Sequence, residues 1–161
     1  MKKILLAVTN LLFVFAAWSQ TNLPAVSIKD IKGKEISSTQ LIDITKPVVI
    51  SFWATWCKPC MQEMEAINDE LEELQATGAI FISIAVDDSR STASVRSVVQ
   101  GSDWAFKVFI DDNQELKRAL NIDAIPHSII IDKTGKIIRR TQGYTPGSEK
   151  ELFSFLKSLS K

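Results

Sequence analysis

The chain has 161 residues, 45% of them apolar, with 19 basic side chains against 19 acidic ones and six scattered glycines. That is enough apolar material for one globular domain with a sizeable core, and no linker or repeat divides it. The balanced charge, with neither a basic face nor a polybasic tail, excludes electrostatic steering onto nucleic acid or an anionic membrane, and two cysteines with one histidine are too few ligands for a structural zinc site.

Met-Lys-Lys opens the chain, followed by an apolar run from Ile4 to Trp18 and by Ala17-Trp18-Ser19, small at its first and third positions. This reads as a secretory signal over residues 1–19, cleaved near Ser19, with one domain over 20–161; the run is short of the roughly 20 residues a membrane span needs, which leaves an uncleaved anchor as the alternative. Removing that segment takes two lysines and no acids, so 17 basic residues face 19 acidic ones, a formal charge of −2. A lipid-anchored form is excluded, because no cysteine stands at the cleavage point.

Ala25 to Asp30, the turn Lys32-Gly33-Lys34 and Glu35-Ile36 read as an N-terminal hairpin. Ser38 to Ile42 is a short helical turn. Pro47 then opens Val48 to Trp53, an uninterrupted apolar run suited to a central strand covered on both faces. From Lys58 to about Gln75 the positions Cys60, Met64, Ile67, Leu71 and Leu74 repeat at helical spacing, with Gly78 placed to stop the helix and Glu65, Asp69, Glu72 and Glu73 on its solvated faces.

Ala79 to Val86 is a second buried strand, and strand, helix, strand at this length implies a right-handed parallel crossover. Asp87-Asp88-Ser89 caps a helix from about Arg90 to Gln100 that Gly101 ends, and Ala105 to Ile110 is a third strand. Asp111-Asp112 begins another helix to Leu120, closed by Asn121. Ile122 to Asp132, with Pro126 directly before an apolar run, turns at Thr134-Gly135 into Lys136 to Thr141, a strand hairpin. Ser148 and Glu151 form a capping box ahead of Leu152, Phe155, Leu156 and Leu159, a terminal amphipathic helix whose stripe is core.

The chemistry concentrates in residues 51–64, SFWATWCKPCMQEM. Cys57 and Cys60 are three residues apart, so at the start of a helix their sulfurs fall on one face, close enough for a disulfide. A thiol at a helix N-terminus faces unpaired N–H groups and the positive end of the dipole, which makes Cys57 the nucleophile. Pro59 suits the first helical turn, where its missing N–H costs nothing. One such pair in an oxidising space points to a bond that is made and broken.

WATWCKPC after an apolar strand resembles the thioredoxin superfamily, and WCxPCxxEM is similar to its exported TlpA/ResA-like branch, over about residues 45–160. The resemblance implies an α/β, thioredoxin-like fold: a central mixed sheet flanked by helices, with an N-terminal hairpin and a βα insertion. It implies a thiol-disulfide oxidoreductase that needs no cofactor or metal, in which the Cys57 thiolate attacks a substrate disulfide and Cys60 resolves the mixed disulfide. Exported protein disulfides, among them those of cytochrome c maturation, are the implied substrates, a membrane-embedded thiol donor supplies the electrons, and the protein is expected to act as a monomer.

In the same family Trp53 and Trp56 flank the dithiol and help form the apolar surface that meets substrate beside Pro59. Pro126 takes the place of a cis-proline facing the dithiol, which leaves the preceding backbone at Ile125 free to pair with a substrate strand. Ser51 stands where cytosolic thioredoxins carry a buried aspartate. Glu63 matches the acidic residue of the TlpA/ResA-like motif, and on a helical wheel it borders the buried face one turn from Cys60, so it is the residue expected to manage the dithiol's proton. His127 departs from the threonine common in the family; a copper-binding carrier using Cys57, Cys60 and His127 is the alternative reading.

Overall fold

A computed structural model describes residues 22–159 of the chain; the signal segment expected over residues 1–19 lies outside the described residues. The N-terminal hairpin is β1 (Ser27–Asp30) and β2 (Glu35–Ser37), turned at Gly33, whose φ of 90° is one that side-chain-bearing residues avoid. A single 3₁₀ turn, Ser38–Leu41, follows. Strand β3 (Val48–Trp53) is buried at all six residues, which matches the unbroken apolar run that specifies it.

The expected long helix is broken in two. Helix α1 (Lys58–Asp69) and helix α2 (Leu71–Ala76) meet at Glu70, whose φ of −109° and ψ of 21° leave the helical region. Leu71 and Leu74 are nonetheless buried, as the helical spacing expects. Gly78, at a φ of 83°, ends α2 as expected.

Strand β4 (Ile80–Ala85) is followed by α3 (Thr92–Gly101) and β5 (Lys107–Ile110). Helix α3 starts at Thr92 rather than Arg90, because the Asp88 carboxylate accepts the N–H groups of Arg90 and Ser91 in a turn ahead of it. Gly101 lies inside the helix, and Asp103 takes the positive φ beyond it. Helix α4 is only Glu115–Ala119; Asp111 caps it from outside by accepting from Leu116 and Lys117, and Asn121, at a φ of 54°, closes it.

Strands β6 (His127–Ile131) and β7 (Ile137–Gln142) make the second hairpin, and α5 (Ser148–Leu159) completes the chain. Its capping differs from the expected box: Ser148 is already helical, and Glu149, not Glu151, accepts the N–H of Gly147. The buried stripe differs too. Phe153 and Leu156 are buried, Leu152 and Phe155 are partly covered, and Leu159 is exposed.

All seven strands form one mixed sheet in the order β2-β1-β5-β4-β3-β6-β7. Strands β3, β4 and β5 are parallel; β6 runs against β3, β7 against β6, and β1 against β5. The α3–β5 insertion thus sits between β4 and the N-terminal hairpin. In the centre, Ser83, Ser51, Ser128 and Thr141 stand side by side in register on β4, β3, β6 and β7, a row of hydroxyls across the sheet. Among the described residues no helix is long and apolar enough to cross a membrane.

Candidate active site

Cys57 and Cys60 are joined by a disulfide where β3 passes into α1. Cys57 is the N-cap of α1, and its Sγ accepts the backbone N–H of Cys60 at 3.3 Å. The N-cap conformation follows from the local sequence: the Cys57 N–H closes a turn onto Ala54, and Pro59 sits in the first turn with no N–H to satisfy. When the bond is reduced, this donor and the helix dipole favour negative charge on Cys57 Sγ over Cys60 Sγ. Cys57 is 5% exposed and Cys60 0%. Both cysteines are therefore buried in the disulfide form.

Trp56 is 72% exposed beside the disulfide, while Trp53 is fully buried with its ring edge-on to Trp104 at 5.1 Å. The two tryptophans thus separate into one surface residue and one core residue. Pro59 is exposed, Ile125 half-buried and Pro126 buried. The Ile125–Pro126 peptide bond is cis. Phe52 pairs with His127 in the β3–β6 register, so continuing that register sets Pro126 beside Trp53, at the end of β3 that feeds the dithiol loop.

That loop has an anchor the sequence does not advertise. The buried Asp87, at the end of β4, accepts the Thr55 N–H at 3.0 Å and the Thr55 hydroxyl. Asp87 therefore fixes the segment carrying Trp56 and Cys57 and has no part in capping α3, the role its sequence position implied. The parallel β3–β4 pairing, which brings the ends of both strands together, was the available signal.

Glu63, one turn after Cys60 on α1, is 8% exposed. Its carboxylate accepts the Ser51 hydroxyl at 2.8 Å and the Ser128 hydroxyl at 3.2 Å. Burial pushes its pKa up, and the two serine hydroxyls pull it back in part. Ser128 went unrecognised in the sequence because its contact with Glu63 spans 65 residues. Beyond Ser128, a cavity of about 50 Å³ opens between α1, β7 and α5, bordered by Glu63, Thr141, Tyr144 and Glu149. The Tyr144 hydroxyl donates to Glu149 at 3.0 Å, and burial followed by this bond pushes the phenol up to about 12.

His127 is 8% exposed, neither ring nitrogen has a hydrogen-bond partner, and burial depresses its pKa. Among the described residues no three His, Cys, Asp or Glu side chains are grouped as a metal would need.

Comparison with known proteins agrees with this arrangement. The model of the AhpC/TSA family matches residues 20–140. The thiol-disulfide oxidoreductase ResA of Bacillus thuringiensis subsp. konkukian (strain 97-27) is 32% identical over 138 residues, 85% of this chain and 76% of that protein. The solution structure of an uncharacterized thioredoxin-like protein from Porphyromonas gingivalis is 38% identical and superposes with a TM-score of 0.75, covering 86% of this chain and 91% of that one. StoA from Bacillus subtilis, at 19% identity and a TM-score of 0.66 over 82% of this chain and 97% of its own, shares the fold. With a dithiol pair at the head of α1 in a thioredoxin-like sheet, the chain belongs to the AhpC/TSA family and is a thiol-disulfide oxidoreductase.

Proposed function

We propose that the protein works outside the cytoplasm as a reductant of protein disulfides, among them those of cytochrome c maturation, with electrons supplied by a membrane-embedded thiol donor. The observation that carries this reading is the Cys57 sulfur at the N-cap of α1, accepting the Cys60 N–H beside the exposed Trp56. A cap of this kind favours the Cys57 thiolate, the form that attacks. The Cys57 thiolate displaces one sulfur of the substrate disulfide, which leaves as a thiolate. Cys60 then gives its proton to Glu63 and attacks Cys57 Sγ, the bond between Cys57 and substrate breaks, and the second substrate sulfur leaves.

Trp56, Pro59 and Ile125, with the buried Pro126 next to it, form the surface that meets the substrate. The Lys58 cation, like the helix dipole, stabilises the reduced form and so sets the potential above thioredoxin's about −270 mV, yet well short of the roughly −120 mV of a strong oxidant. Two measurements test the reading. The reduced protein is expected to reduce insulin catalytically, and a Cys60→Ser variant expressed with its leader is expected to accumulate mixed disulfides on Cys57 with extracytoplasmic proteins. A potential near −120 mV, or trapped partners that are all cytoplasmic, would overturn it.

A further inference from the structure

The resolving step leaves a proton on Glu63, and that proton has to leave before the carboxylate can serve again. Glu63 is covered by the sheet, by α1 and by its two serine partners. It lines the cavity on the β7 side together with other polar groups. A water needs roughly 10–15 Å³ of such space, so about 50 Å³ has room for water. Ser128 on β6 and Thr141 on β7, paired in the hydroxyl row, line the cavity, and Thr141 is exposed, so the cavity reaches solvent on that side. On its α5 side stands Glu149, a buried carboxylate that receives the Tyr144 hydroxyl and the Gly147 N–H, each at 3.0 Å. Nothing in thiol-disulfide exchange itself employs these residues.

We propose that this cavity is the proton exit of the dithiol site: Glu63 passes its proton sideways to water in the cavity and on to Glu149, held by Tyr144, at the edge of the sheet, instead of through the substrate-facing surface. The inference rests on the reading of Glu63 as the acceptor of the Cys60 proton. The balance is simple. One proton leaves the Cys60 thiol, resides on a Glu63 oxygen, moves through water to a Glu149 oxygen and is lost to solvent, with no change in oxidation state after the disulfide closes. Because its phenol ionises only at about 12, Tyr144 remains an O–H donor over the working range. The other charged groups facing the cavity are Arg139 from β7 and Glu151 from α5. A route on this side has a functional rationale: a bound substrate covers Trp56 and the dithiol while the cavity stays open.

The purified, reduced full domain reacted with 5,5′-dithiobis(2-nitrobenzoate) gives a test. The first thionitrobenzoate released reports attack by Cys57 and the second reports resolution by Cys60. Thr141→Trp blocks the mouth from an exposed edge-strand position, and Glu149→Gln removes the acceptor; thermal melts confirm that each is folded. Each variant is expected to slow the second release about 3- to 10-fold at low buffer concentration, to recover with added acetate as a small proton carrier, and to leave the first release and the equilibrium thiol titration unchanged. A merely structural role would not create buffer dependence. If Glu63→Gln slows the second release while Thr141→Trp and Glu149→Gln remain fast and independent of buffer, the exit lies elsewhere and the inference falls alone. If Glu63→Gln also leaves the second release unchanged, the reading of Glu63 falls and takes the inference with it.

Discussion

The Ser51 hydroxyl donates to the Glu63 carboxylate across 2.8 Å, joining the central strand to the helix that carries the dithiol. On the proposed reading the buried acid of the site comes from the helix, and the strand residue is its hydrogen-bond donor. Glu63→Gln keeps the shape and removes the proton acceptor. It is expected to slow resolution by about 100-fold, the lower end of general acid–base contributions, and the second thionitrobenzoate phase measures it.

The same substitution has a stability signature. Burial raises the Glu63 pKa above 4.5, so the folded protein holds a proton that the unfolded chain releases, and stability falls as pH rises from about 4.5 through the raised value. Glu63→Gln removes that fall. Urea denaturation is expected to show the variant gaining on the wild type at pH 8 and matching it near pH 4; an equal difference at both would contradict the assignment.

Ser128→Ala removes a donor that favours the ionised carboxylate. The Glu63-linked inflection in the pH profile of resolution is therefore expected to move to higher pH, with only a modest loss of stability, about 1–3 kcal/mol for a buried hydrogen bond left half-made. A move to lower pH would be wrong in sign.

Thr55→Val severs the hydroxyl bond to Asp87 while leaving the backbone bond and the side-chain volume in place. A loosened loop is expected to raise the KM for a protein substrate more than it lowers kcat, because Trp56 rides on this segment, and Thr55→Ser is expected to restore it. A change in kcat alone would place the effect in the chemistry instead.

His127 works in the opposite pH direction to Glu63. Its pKa is held below 6.5 by burial first and by Arg140 second, so below about pH 6.5 the unfolded chain takes up a proton that the folded one refuses, and stability falls with acidification. His127→Leu is expected to flatten that acid limb, as denaturation midpoints between pH 5 and 7 would show.

Local pattern and long-range contact divided what was legible in the sequence. The hairpins, the buried run 48–53, the helix start at Cys57 and the stop at Gly78 each have a cause within a few residues, and each stands where it was expected. Glu70 breaks the helix without a glycine or proline to announce it, although Leu71 and Leu74 beyond it keep to the buried face. Helix α5 was assigned a stripe starting at Leu152, whereas its buried positions run Glu149, Phe153 and Leu156, since a glutamate at the head of an apolar face reads as solvent. Asp87 next to Asp88 looked like a cap until the parallel pairing of β3 with β4 brought Thr55 within reach. The helical wheel set Glu63 at the border of the buried face, but its two serine partners lie 12 residues upstream and 65 downstream, and no pattern along the chain connects them.

Strand β3 has neighbours on both edges and no exposed residue. Its amide hydrogens can therefore exchange with solvent only when the domain as a whole opens, whereas the outer strands β2 and β7 exchange through local fraying. The dithiol loop hangs from the segment that opens last. A molecule that still holds its sheet keeps Cys57 and Cys60 assembled, and one that has lost it has lost the site as well. Partly unravelled forms with a stray reactive thiol are thereby kept rare.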